Sequence, residues 1–165
     1  MDVLFINPCG AKKVYQQLAK DYSAIETPTW SLLLAQSCRS IGYDVGILDA
    51  DAERLSDEEI GNRVREISPR LACFVVYGQN PNSGTTNMVG AVGGAAEIKK
   101  HAPSVPVGLV GSHVQALPLE VLEKEESFDI VFTNEGVYAL WNLLALEDLT
   151  SLESLRTIRG IGFRE

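Results

Sequence analysis

PVGLVGSHVQALPLEVLEKEESFDIVFTNEGVYALWNLL, residues Pro106 to Leu144, decides the fold. Val107 to Val110 is a short apolar run stopped by Gly111-Ser112-His113. Ala116 to Glu126 has helical spacing, with Leu117, Val121 and Leu122 on one side. Asp129 to Phe132 is a second apolar run, stopped by Thr133-Asn134-Glu135-Gly136. Val137 to Leu146 is helical again, with Leu140, Leu143 and Leu144 as its inward stripe. Strand, loop, helix, strand, loop, helix is the unit of a parallel sheet, whose loops after each strand share one edge and face one ligand.

The rest of the chain repeats this unit. Val3 to Ile6, Val45 to Leu48 and Leu71 to Val76 are strand-like, and the runs VLFI and LACFVV are apolar on both faces, as buried parallel strands are. Thr27 and Pro28 are placed to open a first helix, with Gly42 as its stop. Ser56-Asp57-Glu58-Glu59 is a capping box opening a second helix through Ile60, Val64 and Ile67. Thr85 or Thr86 is expected to open a third helix, ending near Lys100, after a turn-rich loop from Tyr77 to Gly84. Between the first strand and its helix lies a long connection, residues 11–26, of the kind that tends to be functional; Val14 and Leu18 suggest that part of it is helical. The prediction is an α/β, flavodoxin-like (Rossmann-like) five-stranded parallel sheet of order 2-1-3-4-5 with helices on both faces, over residues 1–146. Residues 147–165 read differently: a turn of helix near Ser151 to Leu155, then an alternating edge-strand pattern from Thr157 to Glu165, as in a linker and strand leading to a further domain.

Composition narrows the function. Of 165 residues, 45% are hydrophobic and 22% charged, ordinary for a globular chain, and the net charge of −8 opposes a nucleic-acid or anionic-membrane surface. No apolar run reaches the length of a membrane span, and a cytoplasmic protein is expected. Cys9, Cys38 and Cys73 are too few and too widely spaced for a disulfide framework or a zinc or iron–sulfur motif. Walker and G-x-G-x-x-G loops are absent, and Asn7 and Tyr77 stand where a receiver domain needs acids.

The predicted ligand edge collects Asn7-Pro8-Cys9-Gly10, Asp49-Ala50-Asp51, the loop with Gly78, Gln79, Asn80, Ser83 and Gly84, then Gly111, Ser112 and His113, and finally Asn134, Glu135 and Gly136. These side chains offer hydrogen bonds more than catalysis. His113 is a loop residue or a ligand, Glu135 a turn acceptor or a base, and Asp49 with Asp51 a turn or a metal pair. His101 suits a helix end, and Trp30 and Trp141 fit core positions. Gly90, Gly93 and Gly94 leave one side of the third helix bare, either for close packing on the sheet or beside a bulky ligand.

In order and spacing these motifs resemble a family, the amino-terminal cobalamin (B12)-binding domain of radical S-adenosylmethionine enzymes. The likeness rests on Asn7-Pro8 after the first strand, and on Pro28 to Leu33 followed by Gly42-Tyr43-Asp44-Val45 and Asp49. It continues with Gly111-Ser112-His113 and Pro118, then Asp129-Ile130-Val131 with Asn134-Glu135-Gly136, and ends with Ile158 to Arg164. One family glycine, at Val110 before Gly111, and the last family glutamate, after Gly136, are replaced. The resemblance implies a cobalamin-binding module whose corrin lies flat on the strand ends at Asn7, Pro8, Gly78, Gln79, Asn80, Ser83, Gly84, Gly111, Ser112, His113, Asn134, Glu135 and Gly136. It implies no protein histidine on cobalt, because the loop after the first strand has none. It also implies a nucleotide tail beside the glycine-rich third helix, and a partner radical domain in cis carrying the iron–sulfur (4Fe-4S) cluster and S-adenosylmethionine. The fragment alone is not expected to turn over. The other readings are a small α/β enzyme acting on a nucleotide-like ligand and a protein-interaction module without cofactor; substrate, axial cobalt ligands and oligomeric state are not legible.

Overall fold

A computed structural model describes residues 1–10, 14, 18, 25–77 and 81–164, and for 81–86 only their place in a helix. The strands are β1 (Val3–Asn7), β2 (Val45–Asp49), β3 (Leu71–Val76), β4 (Val107–Gly111), β5 (Ile130–Phe132) and β6 (Ile161–Phe163). They form one sheet of order β2-β1-β3-β4-β5-β6. The first five are parallel, in the predicted order. β6 adds a sixth, antiparallel strand at the β5 edge, with Ile130 opposite Phe163.

The helices are α1 (Thr29–Ser40), α2 (Asp57–Ile67), α3 (Pro81–His101), α4 (Ser112–Ala116), α5 (Pro118–Lys124), α6 (Val137–Leu144) and α7 (Leu152–Leu155). They cover both faces, because each strand sends successive side chains to opposite sides. Leu4, Ile6, Phe74 and Leu109 pack with Ile60 and Val64 of α2, Ala91, Ala95 and Ile98 of α3, and Val121 of α5. Val3, Phe5, Cys73 and Val110 pack with Leu34, Ala35 and Cys38 of α1 and Leu140, Leu143 and Leu144 of α6. Leu149 and Leu155 complete this second core, which brings the segment before β6 onto the same body.

Several local expectations change. α1 buries Ser31, Leu34, Ala35 and Cys38, and leaves Leu32 and Leu33 exposed. Thr27 does not cap it; its carbonyl accepts from the Thr29 hydroxyl, and the helix opens with the Leu32 N–H on the Pro28 carbonyl. The Ser56–Glu59 capping box of α2 is present, each partner closing the other's free N–H. α3 starts at Pro81, four residues before the expected threonines, since proline suits a first helical turn. Ser83 and Gly84 therefore lie in a helix, not a loop. The helix expected from Ala116 splits: Ser112 and His113 open the short α4, Leu117 is exposed at the break, and α5 restarts with Pro118 at its first turn. A proline there cannot continue the preceding helix, because it brings no N–H to the ladder.

Candidate functional site

The carboxyl ends of β1 to β5 share one rim. Asn7-Pro8-Cys9-Gly10 ends β1, Asp49-Ala50-Asp51 ends β2, Tyr77 follows β3, Ser112 follows β4, and Thr133-Asn134-Glu135-Gly136 follows β5. Of the candidates read from sequence, Gly78, Gln79 and Asn80 lie outside the described residues, as does most of the 11–26 connection, where Val14 and Leu18 are helical.

Much of the rim is spent on holding its own turns. Asn7 Nδ2 donates to Asp49 Oδ1 at 2.8 Å, and the same oxygen accepts the Ala52 N–H at 3.1 Å, so Asp49 is a turn residue. Burial holds the Asp51 carboxyl above its ordinary range, against a hydrogen bond from Cys9 that favours the charged form. Pro8 is buried. Asn134 Oδ1 accepts the Gly136 N–H at 2.8 Å, and Gly136 adopts φ +85°, a left-handed conformation that glycine alone takes readily. Glu135 is exposed, and His113 is half-buried on α4 with Glu120 as a charged neighbour. His101 lies at the far end of α3, where its ring pairs with Glu97 at 3.1 Å instead of closing the helix end. Among the described residues no three His, Cys, Asp or Glu side chains converge as a metal site.

Gly90 and Gly94 of α3 serve packing. A Cβ on Gly90 would meet the Cys9 carbonyl oxygen at 2.6 Å, and one on Gly94 would meet the Phe74 ring at 2.9 Å. The bare side is thus filled by the β1 turn and by β3. Gly111 is tighter still: its Cβ would stand 2.2 Å from the Val76 carbonyl oxygen.

Two aromatic residues at the rim escaped the sequence reading. Trp30 is not core; it is 40% exposed and stacks on Tyr77, with ring centroids 4.5 Å apart at 28°. The Tyr77 hydroxyl accepts from Gln115 Nε2 of α4. Burial, with the Glu135 carboxylate nearby, pushes the phenol up to about 12. The available signal was position: Tyr77 directly follows the most apolar strand, which is central in the sheet. Trp141 is half-buried, donating Nε1 to Ser37 Oγ of α1 at 3.0 Å.

A model of the B12-binding domain matches residues 18–144, most of the chain. The chain belongs to the B12-binding domain family. Among solved structures it is similar to the radical S-adenosylmethionine methyltransferase TsrM from Kitasatospora setae with cobalamin and a 4Fe-4S cluster bound, with TM-score 0.71 and 16% identity over 100% of this chain and 29% of that one. It is also similar to the cobalamin-dependent S-adenosylmethionine radical enzyme OxsB with aqua-cobalamin and S-adenosylmethionine bound, with TM-score 0.66 and 16% identity over 99% of this chain and 21% of that one. At these identities the likeness is one of fold, and the chain spans under a third of either enzyme. No curated protein sequence matches it.

The rim of this B12-binding domain suits a large flat ligand. Five strand ends lie side by side, Gly111 has no room for a side chain, and the Trp30–Tyr77 stack offers an aromatic surface. A groove of about 310 Å³, lined by Lys99, Pro106, Asp129, Leu149 and Arg164, lies at the opposite, amino edge of the sheet and belongs to no part of this rim.

Proposed function

We propose that this domain holds cobalamin on the carboxyl rim and presents it to a radical S-adenosylmethionine domain of the same longer protein. The observation that carries the reading is the rim itself: in a doubly wound sheet the crevice outside the strand ends, where connections diverge to either side, is where ligands bind. When bound, a corrinoid supplies methyl-carrying or radical chemistry; the protein supplies binding and orientation. Asn7, Gly111, Ser112, His113, Glu135 and Gly136 border the ligand, with Ser83 and Gly84 at the start of α3 and Gly78, Gln79 and Asn80 between. Pro8, which is buried, and Asn134, which accepts the Gly136 N–H, shape the turns that do the contacting.

A corrinoid held here would receive no histidine from the turn Asn7-Pro8-Cys9-Gly10, which contains none. The parent enzyme's cluster and S-adenosylmethionine sit in the other domain, in keeping with the coverage of TsrM and OxsB. Residues 1–146 carry the cofactor rim, and 147–165, packed on the same body through Leu149, Leu155 and β6, lead on toward that domain. The test is direct. Protein mixed with hydroxocobalamin and then desalted is expected to stay red, with corrin absorption in stoichiometric proportion to protein. Colourless protein after desalting would remove the proposal.

A further inference from the structure

The chain after α6 stays on the body and returns to the rim. α7 is seated by Leu155, which lies in the second core with Leu149, and Ser151 closes its first turn. The Ile158 N–H then reaches back to the Leu155 carbonyl at 3.0 Å, and the chain turns at Gly160 into β6. Because β6 runs antiparallel to β5, its first residue, Ile161, stands opposite Phe132, the last residue of β5. Gly160 is therefore beside the turn Thr133-Asn134-Glu135-Gly136 on the carboxyl rim. Its carbonyl accepts the Thr133 N–H at 2.9 Å. It adopts φ +86°, and a Cβ there would overlap Asn134 Nδ2. The other end of that amide, Oδ1, accepts the Gly136 N–H at 2.8 Å. The Asn134 amide is thus held between two glycine backbones, one in the rim turn and one in the turn before β6. At the far end of β6 the Arg164 N–H donates to the Asp129 carbonyl at 3.1 Å, and its guanidinium donates to the carbonyls of Leu122 and Glu125. The segment behind Asn134 is anchored at both ends and acts as a stop.

We propose that Gly160 is a positioning residue of the rim: lacking a side chain, it lets the turn before β6 close on the Asn134 amide and hold the turn from Thr133 to Gly136 in the shape that the corrinoid meets. This rests on the cobalamin reading of the rim. The physical reason is preorganisation. A turn already fixed loses little freedom when a ligand arrives, whereas a loose turn must be ordered at the expense of affinity. Asn134 cannot make room for a larger residue at 160 and keep its bond to Gly136, since one end of the planar amide abuts Gly160 while the other holds that bond. Losing the bond frees Glu135 and Gly136, and Gly136 is also the residue from which α6 starts. Residues 147–160 thereby belong to the cofactor site and are not only a passage out of it.

The experiment compares wild type with Gly160→Ala, Asn134→Ala and the double variant, each checked for its fold by circular dichroism. Two quantities are read: exchange of the Gly136 amide hydrogen without ligand, by nuclear magnetic resonance, and the dissociation constant for hydroxocobalamin, by absorbance titration. In Gly160→Ala the Gly136 amide is expected to exchange about tenfold faster, while the amides of β1 and β3 keep their wild-type rates, and cobalamin should bind about tenfold more weakly. Asn134→Ala should do the same. The double variant should bind no more weakly than the weaker single variant, because both changes remove one restraint. Should Gly160→Ala fail to fold, Gly160→Asn substitutes, since asparagine tolerates the left-handed conformation and still brings a Cβ. A Gly136 amide as protected as in wild type overturns the lock. A freed amide with cobalamin affinity within about twofold of wild type overturns its role at the cofactor. Losses that multiply in the double variant overturn the shared path through Asn134. Wild type that binds no hydroxocobalamin fails earlier, and removes the rim reading itself.

Discussion

The two edges of the sheet are built by different rules. At the amino edge, charges tie elements together. Arg70, just before β3, pairs with Asp2 at 3.2 Å and donates to the carbonyls of Leu144 and Leu146 at the end of α6. Asp129, before β5, accepts from Lys99 of α3 at 2.5 Å and from the Val107 N–H at 2.6 Å. At the carboxyl edge the polar groups bond within or between neighbouring turns, and the backbone takes conformations or approaches that require glycine. One edge fastens strands and helices to each other. The other shapes a surface, and its residues give up freedom for form.

The largest effect tests the claim that the carboxyl edge has no slack. In Gly111→Ala the new Cβ would meet the Val76 carbonyl oxygen at 2.2 Å, and Val76 pairs with Gly111 in the β3–β4 ladder. Neither backbone can yield without opening the two central strands. The expected loss is about 3 kcal/mol, or about 10 °C in Tm, read by thermal unfolding. Wild-type stability in this variant would break the comparison at its tightest point.

The architecture was legible in the sequence because both apolar periods were clean. VLFI and LACFVV read as strands buried on two faces, and their alternation with the helices pointed to the flavodoxin-like sheet order. The site was legible at the level of edges and less so at the level of side chains. Asp49 was read as a turn residue or half of a metal pair, and it bonds a turn; Asn134 was read as a residue facing the ligand, and its Oδ1 bonds its own turn. Trp30 misled, because helical spacing places it near the α1 stripe while the tertiary fold sets it over Tyr77 at the rim. Periodicity reports which face of a helix turns inward, not what stands beyond its end. The glycines of α3 were ambiguous for a similar reason: a bare helix side is the same signal whether a ligand or the Cys9–Gly10 backbone lies against it. The sixth strand was read as an edge strand; its antiparallel pairing with β5 depends on where residues 147–160 carry the chain, which no local pattern encodes.

Arg70→Ala sharpens the comparison from the other side. It removes the charge partner of Asp2 and leaves the Leu144 and Leu146 carbonyls without their donor, at an expected cost of about 2 kcal/mol in chemical denaturation. The mutated edge is remote from the rim, so cobalamin retained after desalting should be unchanged in the protein that remains folded. Loss of stability together with cobalamin would show that the two edges do not work separately.

The smallest effect is electrostatic and carries a sign. Asp2 is held below the ordinary carboxyl range, first by the Asp44 N–H, which its Oδ2 accepts at 2.8 Å, and also by Arg70; partial burial opposes them without prevailing. Its folded pKa is therefore lower than its unfolded one. Such a group contributes its full stabilisation above the unfolded value and loses it as pH falls through the folded one. The relevant window thus opens at about pH 4 and extends downward. Asp2→Asn keeps an acceptor for the Asp44 N–H but drops the charge facing Arg70. It is expected to lower stability at pH 7 by about 0.5 kcal/mol, because the ion pair is partly exposed. The gap between variant and wild type should close as pH falls below the window, where Asp2 is protonated in both states. A gap that stays constant down to the acid transition would mean that the Asp2 charge adds nothing at this edge, and that the fastening rests on the hydrogen bonds of Arg70 to α6 alone.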